Sequence, residues 1–272
     1  MASDIFELRE KVIVVTGGMG QLGRQFTMAL VERGARVAVF DTKASDDALR
    51  SRLFDHMPPE RVLFLPVDIT SRNSIEDGLR EVLEQWHAPE GLINNAALDS
   101  PPDAPAEENG PFETYPESSW DTVMETNVKG VFLCSQVIGG KMSRSGGGSI
   151  VNICSTYGMV SPDQRIYEYR REEGKAFYKP VAYSASKSAI LNITRYLSTY
   201  WAKAGVRVNT LTLGGVFNDQ DSTFLERYCQ KVPMGRMAYE WEYNGAIIFL
   251  LSGASSYMTG SNLVIDGGWT AW

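Results

Sequence analysis

The stretch VIVVTGGMGQLG at residues 12–23 joins a β-branched run to a cluster of glycines. Residues 12–16 have the composition of a buried strand, and residues 22–33 carry apolar side chains at helical spacing. Gly34 is a residue type that commonly ends a helix, and a second strand-like run, RVAVF, follows at 36–40. This order predicts a strand, a tight glycine turn, a helix and a second parallel strand.

The same alternation of short β-branched runs and longer amphipathic stretches continues along the chain. Parallel strands need helix-length connections, so this alternation is typical of a sheet wrapped by helices. We predict an α/β fold with a doubly wound parallel sheet of about seven strands and helices on both faces, as one domain over residues 1–272. The runs are VIVVT at 12–16, RVAVF at 36–40, VLFLPV at 62–67, GLIN at 91–94, SIVNI at 149–153, VRVNTL at 206–211 and NLVID at 262–266.

The composition excludes several classes of protein. A net charge of −7 argues against a nucleic-acid partner, which needs a basic face. The three cysteines, Cys134, Cys154 and Cys229, are too few and too widely spaced for a disulfide framework or a zinc site, so we expect no metal. Without a signal-peptide pattern or an apolar run of membrane length, we expect a cytoplasmic protein with no membrane partner.

The glycine turn and the end of the second strand together indicate a dinucleotide site. Glycines allow the backbone to approach a pyrophosphate at a helix N-terminus, where free N–H groups and the helix dipole favour negative charge. Asp41 ends the second strand 18 positions after Gly23, near the offset of a ribose-binding acid that repels a 2′-phosphate. We therefore predict NAD as the cofactor in preference to NADP. The alternative is that the glycines form only a turn and that Asp41 only ends a strand.

Tyr183 and Lys187 indicate proton transfer. Residues four apart share a helical face, and a nearby ammonium is expected to lower the pKa of the phenol so that it can act as a base. Ser155 follows the strand at 149–153, at the sheet edge where ligands bind, and can hold the reacting oxygen. By itself the tyrosine and lysine pair also fits an ordinary surface pair on a helix.

With these residues in place, the sequence resembles the short-chain dehydrogenase/reductase family, in its classical type, over essentially its whole length. That resemblance implies a Rossmann-type fold. Each matching piece is common, whereas their order and spacing together are specific. The pieces are TGGMGQLG at 16–23, Asp68 after the third strand, Asn94 to Ala97 after the fourth, Asn127 to Gly130, IVNICSTYG at 150–158, Tyr183 to Lys187, RVNTL at 207–211 and IDGGW at 265–269.

The resemblance implies a catalytic tetrad of Asn127, Ser155, Tyr183 and Lys187. It further implies that Lys187 binds the nicotinamide ribose, that Asn127 holds a water of the proton relay and that Asp68 contacts the adenine. For Asn127 the alternative is a buried polar residue bonded only to backbone. Asn94 and Ala96 are expected to line the cofactor. The full predicted cofactor set is Gly17, Met19, Gly20, Gln21, Leu22, Gly23, Asp41, Asp68, Ile69, Asn95, Ala96, Tyr183, Lys187, Gly214, Val216 and Asn218.

The glycine spacing departs from the family's T-G-x-x-x-G-x-G pattern, because Gln21 stands at the middle-glycine position and Gly20 precedes it. The resulting G-x-x-G-x-x-G spacing resembles the extended branch of the family. A nucleotide-sugar epimerase or dehydratase with retained NAD is therefore an alternative function, and a non-catalytic NAD-sensing protein is a third. Asn218 stands where the family often has threonine, and it is expected to meet the nicotinamide carboxamide.

Two segments interrupt the regular pattern and are expected to shape the substrate site. Ser155 and Tyr183 lie 28 positions apart, more than in the family, so residues 159–182 are predicted to form an inserted wall or lid. The acidic, proline-rich residues 98–119 are predicted to form a loop at the rim. The predicted substrate contacts are Ser155, Tyr157, Tyr183, Gly215, Arg165 and Tyr178.

The insertion at 159–182 mixes tyrosines with both charges, which suits a polar, carbohydrate-like ligand, an anionic one included. A self-paired, solvated surface element is the alternative. The bases are Arg165, Arg170, Arg171, Lys175 and Lys179, and the acids are Asp163, Glu168, Glu172 and Glu173. Together with STYG at 155–158 and GGVFNDQ at 214–220, the insertion is similar to oxidoreductases of flagellin-modification and sialic-acid-like sugar pathways.

The leading prediction is an NAD-dependent oxidoreductase that transfers a hydride between nicotinamide and a secondary alcohol or ketone of a sugar or sugar-derived small molecule.

The resemblance implies that helical faces at 123–132 and 183–201 pair between subunits, in a homotetramer or homodimer. The tail from Trp269 to Trp272 is expected to pack on another subunit or near the substrate pocket.

Overall fold

The sheet is built as the sequence predicts. The computed structural model describes residues 4–100, 106–174 and 177–272. Seven strands pair in the order β3-β2-β1-β4-β5-β6-β7, and every neighbouring pair is parallel. The order reverses direction between β1 and β4, which is where ligands bind in such sheets. The strands are β1 (Val12–Thr16), β2 (Arg36–Phe40), β3 (Val62–Leu65), β4 (Gly91–Asn94), β5 (Gly148–Ser155), β6 (Val206–Leu213) and β7 (Asn262–Ile265).

Helices connect the strands and cover both faces of the sheet. Three of them, α4, α5 and α6, follow one another through π turns at Glu125–Lys129 and Ser135–Gly139. In the described part of the chain, no helix has the length and apolar character that crossing a membrane requires. The helices are α1 (Gln21–Glu32), α2 (Asp47–Phe54), α3 (Arg72–Gln85), α4 (Glu117–Met124), α5 (Gly130–Cys134), α6 (Gly140–Arg144), α7 (Glu168–Glu172), α8 (Val181–Trp201), α9 (Ser222–Cys229) and α10 (Asn244–Leu251).

Strand side chains alternate between two core clusters, one on each face of the sheet. In β1, Ile13 and Val15 belong to the cluster covered by α1 and α10, whereas Val12 and Val14 belong to the cluster covered by α3, α5 and α8. All four side chains are fully buried. Burial on both faces explains why these strands read as continuous apolar runs.

The two predicted insertions contact each other at the carboxyl edge of the sheet. The described part of 98–119 forms short 3₁₀ turns at Ala106–Asn109 and Phe112–Thr114, and residues 101–105 lie outside the described residues. The second insertion forms a 3₁₀ turn at Gln164–Tyr167 followed by α7, and Lys175 lies outside the described residues. The Tyr178 N–H donates to the Asn109 carbonyl at 2.8 Å.

The glycine turn before α1 depends on close backbone approach. Gly17 has a φ of +63°, in the left-handed region that favours glycine. At Gly23, a Cβ atom would lie 2.7 Å from the Gly18 Cα, closer than van der Waals contact allows. The first turn of α1 can therefore pack against the loop only with glycine at this position.

We predict that Gly23→Ala lowers the free energy of unfolding by about 1–3 kcal/mol, because backbone must move to admit the methyl group. Gly245→Ala in α10 is the control, since a Cβ there meets nothing within 4 Å. It should raise stability by up to about 1 kcal/mol through helix propensity. Urea unfolding of both variants measures the difference, and equal effects would contradict the close-packing explanation.

Candidate active site

A continuous cleft runs along the carboxyl ends of the strands. One half, of about 550 Å³, lies over the glycine turn and the end of β2. The other half, of about 400 Å³, lies over the ends of β5 and β6. The two halves share the lining residues Gln21, Leu22, Asn95 and Ala97. A single extended ligand can therefore span the cleft.

The half over the glycine turn brings together most of the predicted cofactor residues. Asp41 holds the turn, because its Oδ2 accepts from the Met19 N–H at 3.0 Å and its Oδ1 accepts from the Lys43 N–H at 2.9 Å. Gly23 lies behind the turn and does not line the cavity. The predicted residues that line this half are Gly17, Met19, Gly20, Gln21, Leu22, Asp41, Asp68, Ile69, Asn95 and Ala96.

The two asparagines after β4 have different roles. The Asn95 Nδ2 donates to the carbonyls of Thr16 and Gly17 at 3.0 and 3.1 Å, so it fixes the start of the glycine turn. Asn94 is buried, and its Nδ2 donates to the Asn152 Oδ1 at 2.8 Å. The expectation that Asn94 lines the cofactor is therefore wrong, because its side chain is directed to the neighbouring strand β5.

These residues fit a dinucleotide. Gly20 precedes α1 without a capping side chain, so the first backbone N–H groups of this helix are available to phosphate oxygens. The Asp41 carboxylate lies at the end of β2, where the predicted ribose contact requires an acceptor. The turn would hold the pyrophosphate, and Asp41 would hold the adenosine ribose.

The other half of the cleft brings Ser155, Tyr183 and Lys187 together. Ser155 ends β5 and its Oγ accepts from the Tyr157 N–H at 3.2 Å, which leaves the hydroxyl proton free to donate. Tyr183 lies in the first turn of α8, and Lys187 follows one turn later. The Lys187 Nζ lies 5.8 Å from the centroid of the Tyr183 ring and donates to the Ile153 carbonyl at 3.1 Å.

Burial dominates the electrostatics of the tyrosine and the lysine. Burial, with the negative charge of Asp99, raises the pKa of Tyr183, while a hydrogen bond with Ser155 opposes that rise. Burial also lowers the pKa of Lys187. The expected lowering of the tyrosine pKa is therefore wrong for the protein by itself. The physical reason is that burial desolvates the phenolate, while the Lys187 ammonium is itself buried and donates to the Ile153 carbonyl.

Asn127 is buried in the π turn between α4 and α5. Its Nδ2 donates to the Leu98 carbonyl at 2.8 Å and to the Ser186 Oγ at 3.0 Å, and its Oδ1 accepts from the Leu98 N–H at 2.7 Å. Both amide protons are thus used, and one partner is a side chain rather than backbone. Asn127 ties the loop after β4 to α8 beside Lys187, and its relay water remains a prediction.

The loop after β6 closes the far side of the cleft. The Gln21 Nε2 donates to the Phe217 carbonyl at 2.8 Å, so the residue that breaks the family's glycine pattern joins the glycine turn to this loop. The Asn218 N–H donates to the Gln220 Oε1 at 2.8 Å. The predicted residues Gly214, Gly215, Val216 and Asn218 all line this half.

An aromatic cluster forms the outer wall beside Tyr183. The Tyr228 hydroxyl accepts from the Gly215 N–H at 2.8 Å, and the Trp269 ring stacks on Tyr228 with 4.4 Å between centroids. Trp269 of the tail thus packs beside the cleft, whereas Trp272 is 80% exposed. Packing of the tail on another subunit remains a prediction. The predicted substrate residue Tyr157 also lines this wall.

Two other predicted substrate residues lie away from this cleft. Arg165 is exposed and pairs with Asp163, with 2.8 Å between Nη2 and Oδ2. Tyr178 lines a neighbouring cavity of about 410 Å³ beside Glu108, which shares only Lys179 with the described lining of this cleft. The insertion at 159–182 thus contributes Tyr167 and Lys179 to the cleft instead.

Several cleft residues carry no motif and escape prediction from sequence. Phe224 and Tyr228 are one turn apart on α9, which no family pattern marks, and Met237 follows in a loop. The two insertions contribute Asp99, Tyr167 and Lys179, which the mixture of charged and aromatic residues in these segments indicates only in general terms. In this half of the cleft, the lining residues not predicted are Ala97, Asp99, Ile153, Cys154, Thr156, Tyr167, Lys179, Leu213, Gln220, Phe224, Tyr228 and Met237.

Comparison with known proteins agrees with this geometry. A family model described as enoyl-(acyl carrier protein) reductase matches residues 19–270. The NAD-dependent glycerol dehydrogenase of Listeria innocua is 33% identical, over 97% of this chain and 96% of its own length. The gluconate 5-dehydrogenase of Gluconobacter oxydans is 29% identical, over 98% of this chain and 97% of its own length.

A solved structure matches as well. A short-chain dehydrogenase from Leptospira borgpetersenii with bound NAD⁺ is 31% identical to this chain, with a TM-score of 0.83 over 99% of this chain and 97% of its own. Relatedness therefore extends over nearly the whole length, and the matched region includes the glycine turn, Ser155, Tyr183 and Lys187. The chain belongs to the short-chain dehydrogenase/reductase family and is an NAD(P)-dependent oxidoreductase of CH–OH groups.

Proposed function

We propose that this protein is an NAD-dependent dehydrogenase that oxidises a secondary alcohol of a polyol, sugar or sugar acid to the ketone, and catalyses the reverse reduction. The observation that carries the proposal is the cluster of Ser155, Tyr183 and Lys187 in a cleft continuous with the glycine turn. The glycerol and gluconate dehydrogenases among its relatives support a polyhydroxylated substrate.

The side chains of the cleft divide the chemistry between them. Tyr183 as phenolate removes the hydroxyl proton, and the Ser155 hydroxyl donates to the same substrate oxygen as its charge changes. When bound, NAD supplies the hydride acceptor, and its oxidised ring adds a positive charge that favours the phenolate. Lys187 is buried close to Tyr183 and holds a second positive charge beside the ring.

The predictions on pathway, location, alternative function and oligomeric state differ in what supports them. Similarity to flagellin-modification and sialic-acid-like sugar enzymes remains a prediction, as does the cytoplasmic location. The epimerase and NAD-sensing alternatives have no support from the dehydrogenases that match the chain. A homotetramer or homodimer also remains a prediction, and the exposed rings of Phe132, Tyr196 and Tyr200 on the two helical faces concerned support it.

We expect Tyr183→Phe to reduce alcohol oxidation by at least about 10²- to 10⁴-fold, the usual contribution of general acid–base catalysis. NAD affinity should change little, because the ring remains. Tyr196→Phe is the matched control, since Tyr196 lies on the same helix with its ring exposed. Initial rates of NADH formation and NAD titrations measure both effects. Unreduced turnover by Tyr183→Phe would refute the assignment, and turnover without net NADH would favour the epimerase alternative.

The pH dependence should follow the raised pKa of Tyr183. Oxidation needs the phenolate and so gains rate as pH rises, whereas reduction needs the phenol and loses rate through the same range. Asp99, Cys154 and Tyr228 raise this pKa together with burial. Asp99→Asn should therefore move the acid limb of kcat for oxidation to lower pH. Rates from about pH 6 to about pH 11, a range around the pKa of a free phenol, test this, and an unmoved limb would contradict it.

Asp41 should set the preference for NAD. Asp41→Ala removes a hydrogen-bond acceptor and a negative charge, so we expect the KM for NAD to rise by about tenfold or more and the preference over NADP to shrink. Asp47→Ala, which removes an exposed carboxylate from α2, is the control. Steady-state kinetics with both cofactors measure the ratio. An unchanged ratio in Asp41→Ala would exclude this role.

A further inference from the structure

An ion pair from the two insertions lies beside the reacting tyrosine. The Lys179 Nζ pairs with the Asp99 Oδ2, and both residues line the same half of the cleft as Ser155 and Tyr183. The Lys179 Nζ lies 5.3 Å from the centroid of the Tyr183 ring. Any substrate whose hydroxyl reaches Tyr183 must place its neighbouring groups close to this pair.

The lysine is the fixed member of the pair. The Gln164 Oε1 accepts from the Lys179 N–H at 2.8 Å, and the Gln164 Nε2 donates to the Lys179 carbonyl at 3.2 Å. The Lys179 side chain is only 14% exposed, whereas that of Asp99 is 56% exposed. The ammonium is therefore held in place, and the carboxylate is the more solvent-exposed partner.

In the half of the cleft that contains Ser155, Tyr183 and Lys187, no described lining residue offers an unpaired cation to an anionic substrate. Among the described lining residues of this half, only Asp99, Lys179 and Lys187 carry charge. Lys187 is buried and donates to the Ile153 carbonyl. Lys179 is neutralised by Asp99, so an incoming carboxylate would meet a paired ammonium and a repelling carboxylate.

The other described arginines of the insertion are also engaged. Arg170 pairs with Asp221, with 3.1 Å between Nη2 and Oδ2. Arg171 donates to the carbonyls of Phe177 and Gln164 at 2.9 and 3.1 Å. Arg165, on the outer surface, pairs with Asp163. The insertion is rich in bases, but each of these three already has an acceptor.

We propose that the Asp99 and Lys179 pair selects neutral polyhydroxylated substrates over sugar acids by binding a hydroxyl adjacent to the reacting carbon. This inference rests on the proposed function and decides the substrate class that it leaves open. A hydroxyl donates one hydrogen bond and accepts others, so it satisfies carboxylate and ammonium together. A substrate carboxylate only accepts, so it can replace Asp99 at Lys179 only by leaving the Asp99 charge beside it.

Asp99→Asn tests the proposal because it keeps the side-chain shape and releases the ammonium. For wild type, we expect a higher kcat/KM with neutral polyols such as glycerol and galactitol than with gluconate. In Asp99→Asn, kcat/KM should fall about tenfold for polyols, the size of one charged hydrogen bond, and rise about tenfold for gluconate. Lys179→Met should lower both values, since it removes a donor to a polyol hydroxyl and, among the described lining residues, the one cation outside the buried Lys187 that a carboxylate could approach.

Controls separate this proposal from the proposed function. Asp77→Asn removes a carboxylate from an exposed ion pair on α3 and should leave the polyol-to-gluconate ratio unchanged. Calorimetric affinities for the same polyols and gluconate, measured with NADH present, provide a readout that does not need turnover. A wild-type preference for gluconate, or a ratio that Asp99→Asn shifts by less than about twofold in rates and affinities, would overturn the selection by charge. Absence of NAD reduction with every polyol and sugar acid, alongside a shifted affinity ratio, would overturn the proposed function alone.

Discussion

Parallel pairing of seven strands is the constraint on which the site depends. Because all strands run in the same direction, their carboxyl ends meet at one edge of the sheet, and each chain segment that follows a strand emerges there. The glycine turn follows β1, Asp41 follows β2, and Ser155 ends β5. Burial of both sheet faces fixes the register, since a slip of one residue would exchange the two core clusters. The cofactor turn and the reacting side chains are thus aligned by the core, not by contacts with one another.

Desolvation and charge oppose each other at Tyr183, the candidate catalytic tyrosine. Removing the phenol and the ammonium from water favours the neutral form of each, and this explains the raised pKa of Tyr183 and the lowered pKa of Lys187. A hydrogen bond with the Ser155 hydroxyl offsets part of the rise in the Tyr183 pKa, and the Lys187 ammonium donates to the Ile153 carbonyl. Tyr183 by itself is therefore held in its acid form. The positive charge of a bound oxidised nicotinamide would favour the phenolate, which would link proton transfer to the presence of the hydride acceptor.

The substrate side of the cleft is built from segments that have few regular elements. Residues around Asp99 and Lys179 come from separate insertions, and their ion pair joins the segments beside Tyr183. A partly buried pair is worth more than a surface pair, because less water and salt screen it. Any ligand that displaces water from the pair must also form hydrogen bonds or ionic contacts with both Asp99 and Lys179. The pair can therefore discriminate between neutral and anionic substrates without an arginine in the cleft.

The sequence by itself determined the sheet and the glycine turn, and it predicted Ser155, Tyr183 and Lys187 as the candidate catalytic side chains. Strand composition, helical spacing and the i, i+4 relation between Tyr183 and Lys187 are local properties, and local properties can be read along the chain. Only the tertiary structure decided which side chains face the cleft. Asn95 lines it while Asn94 is directed to β5, and Lys179 reaches Tyr183 while Arg165 remains on the surface. Side-chain direction and ion pairing depend on segments distant in sequence, such as 98–119 against 159–182, and no local pattern specifies how two such segments pack.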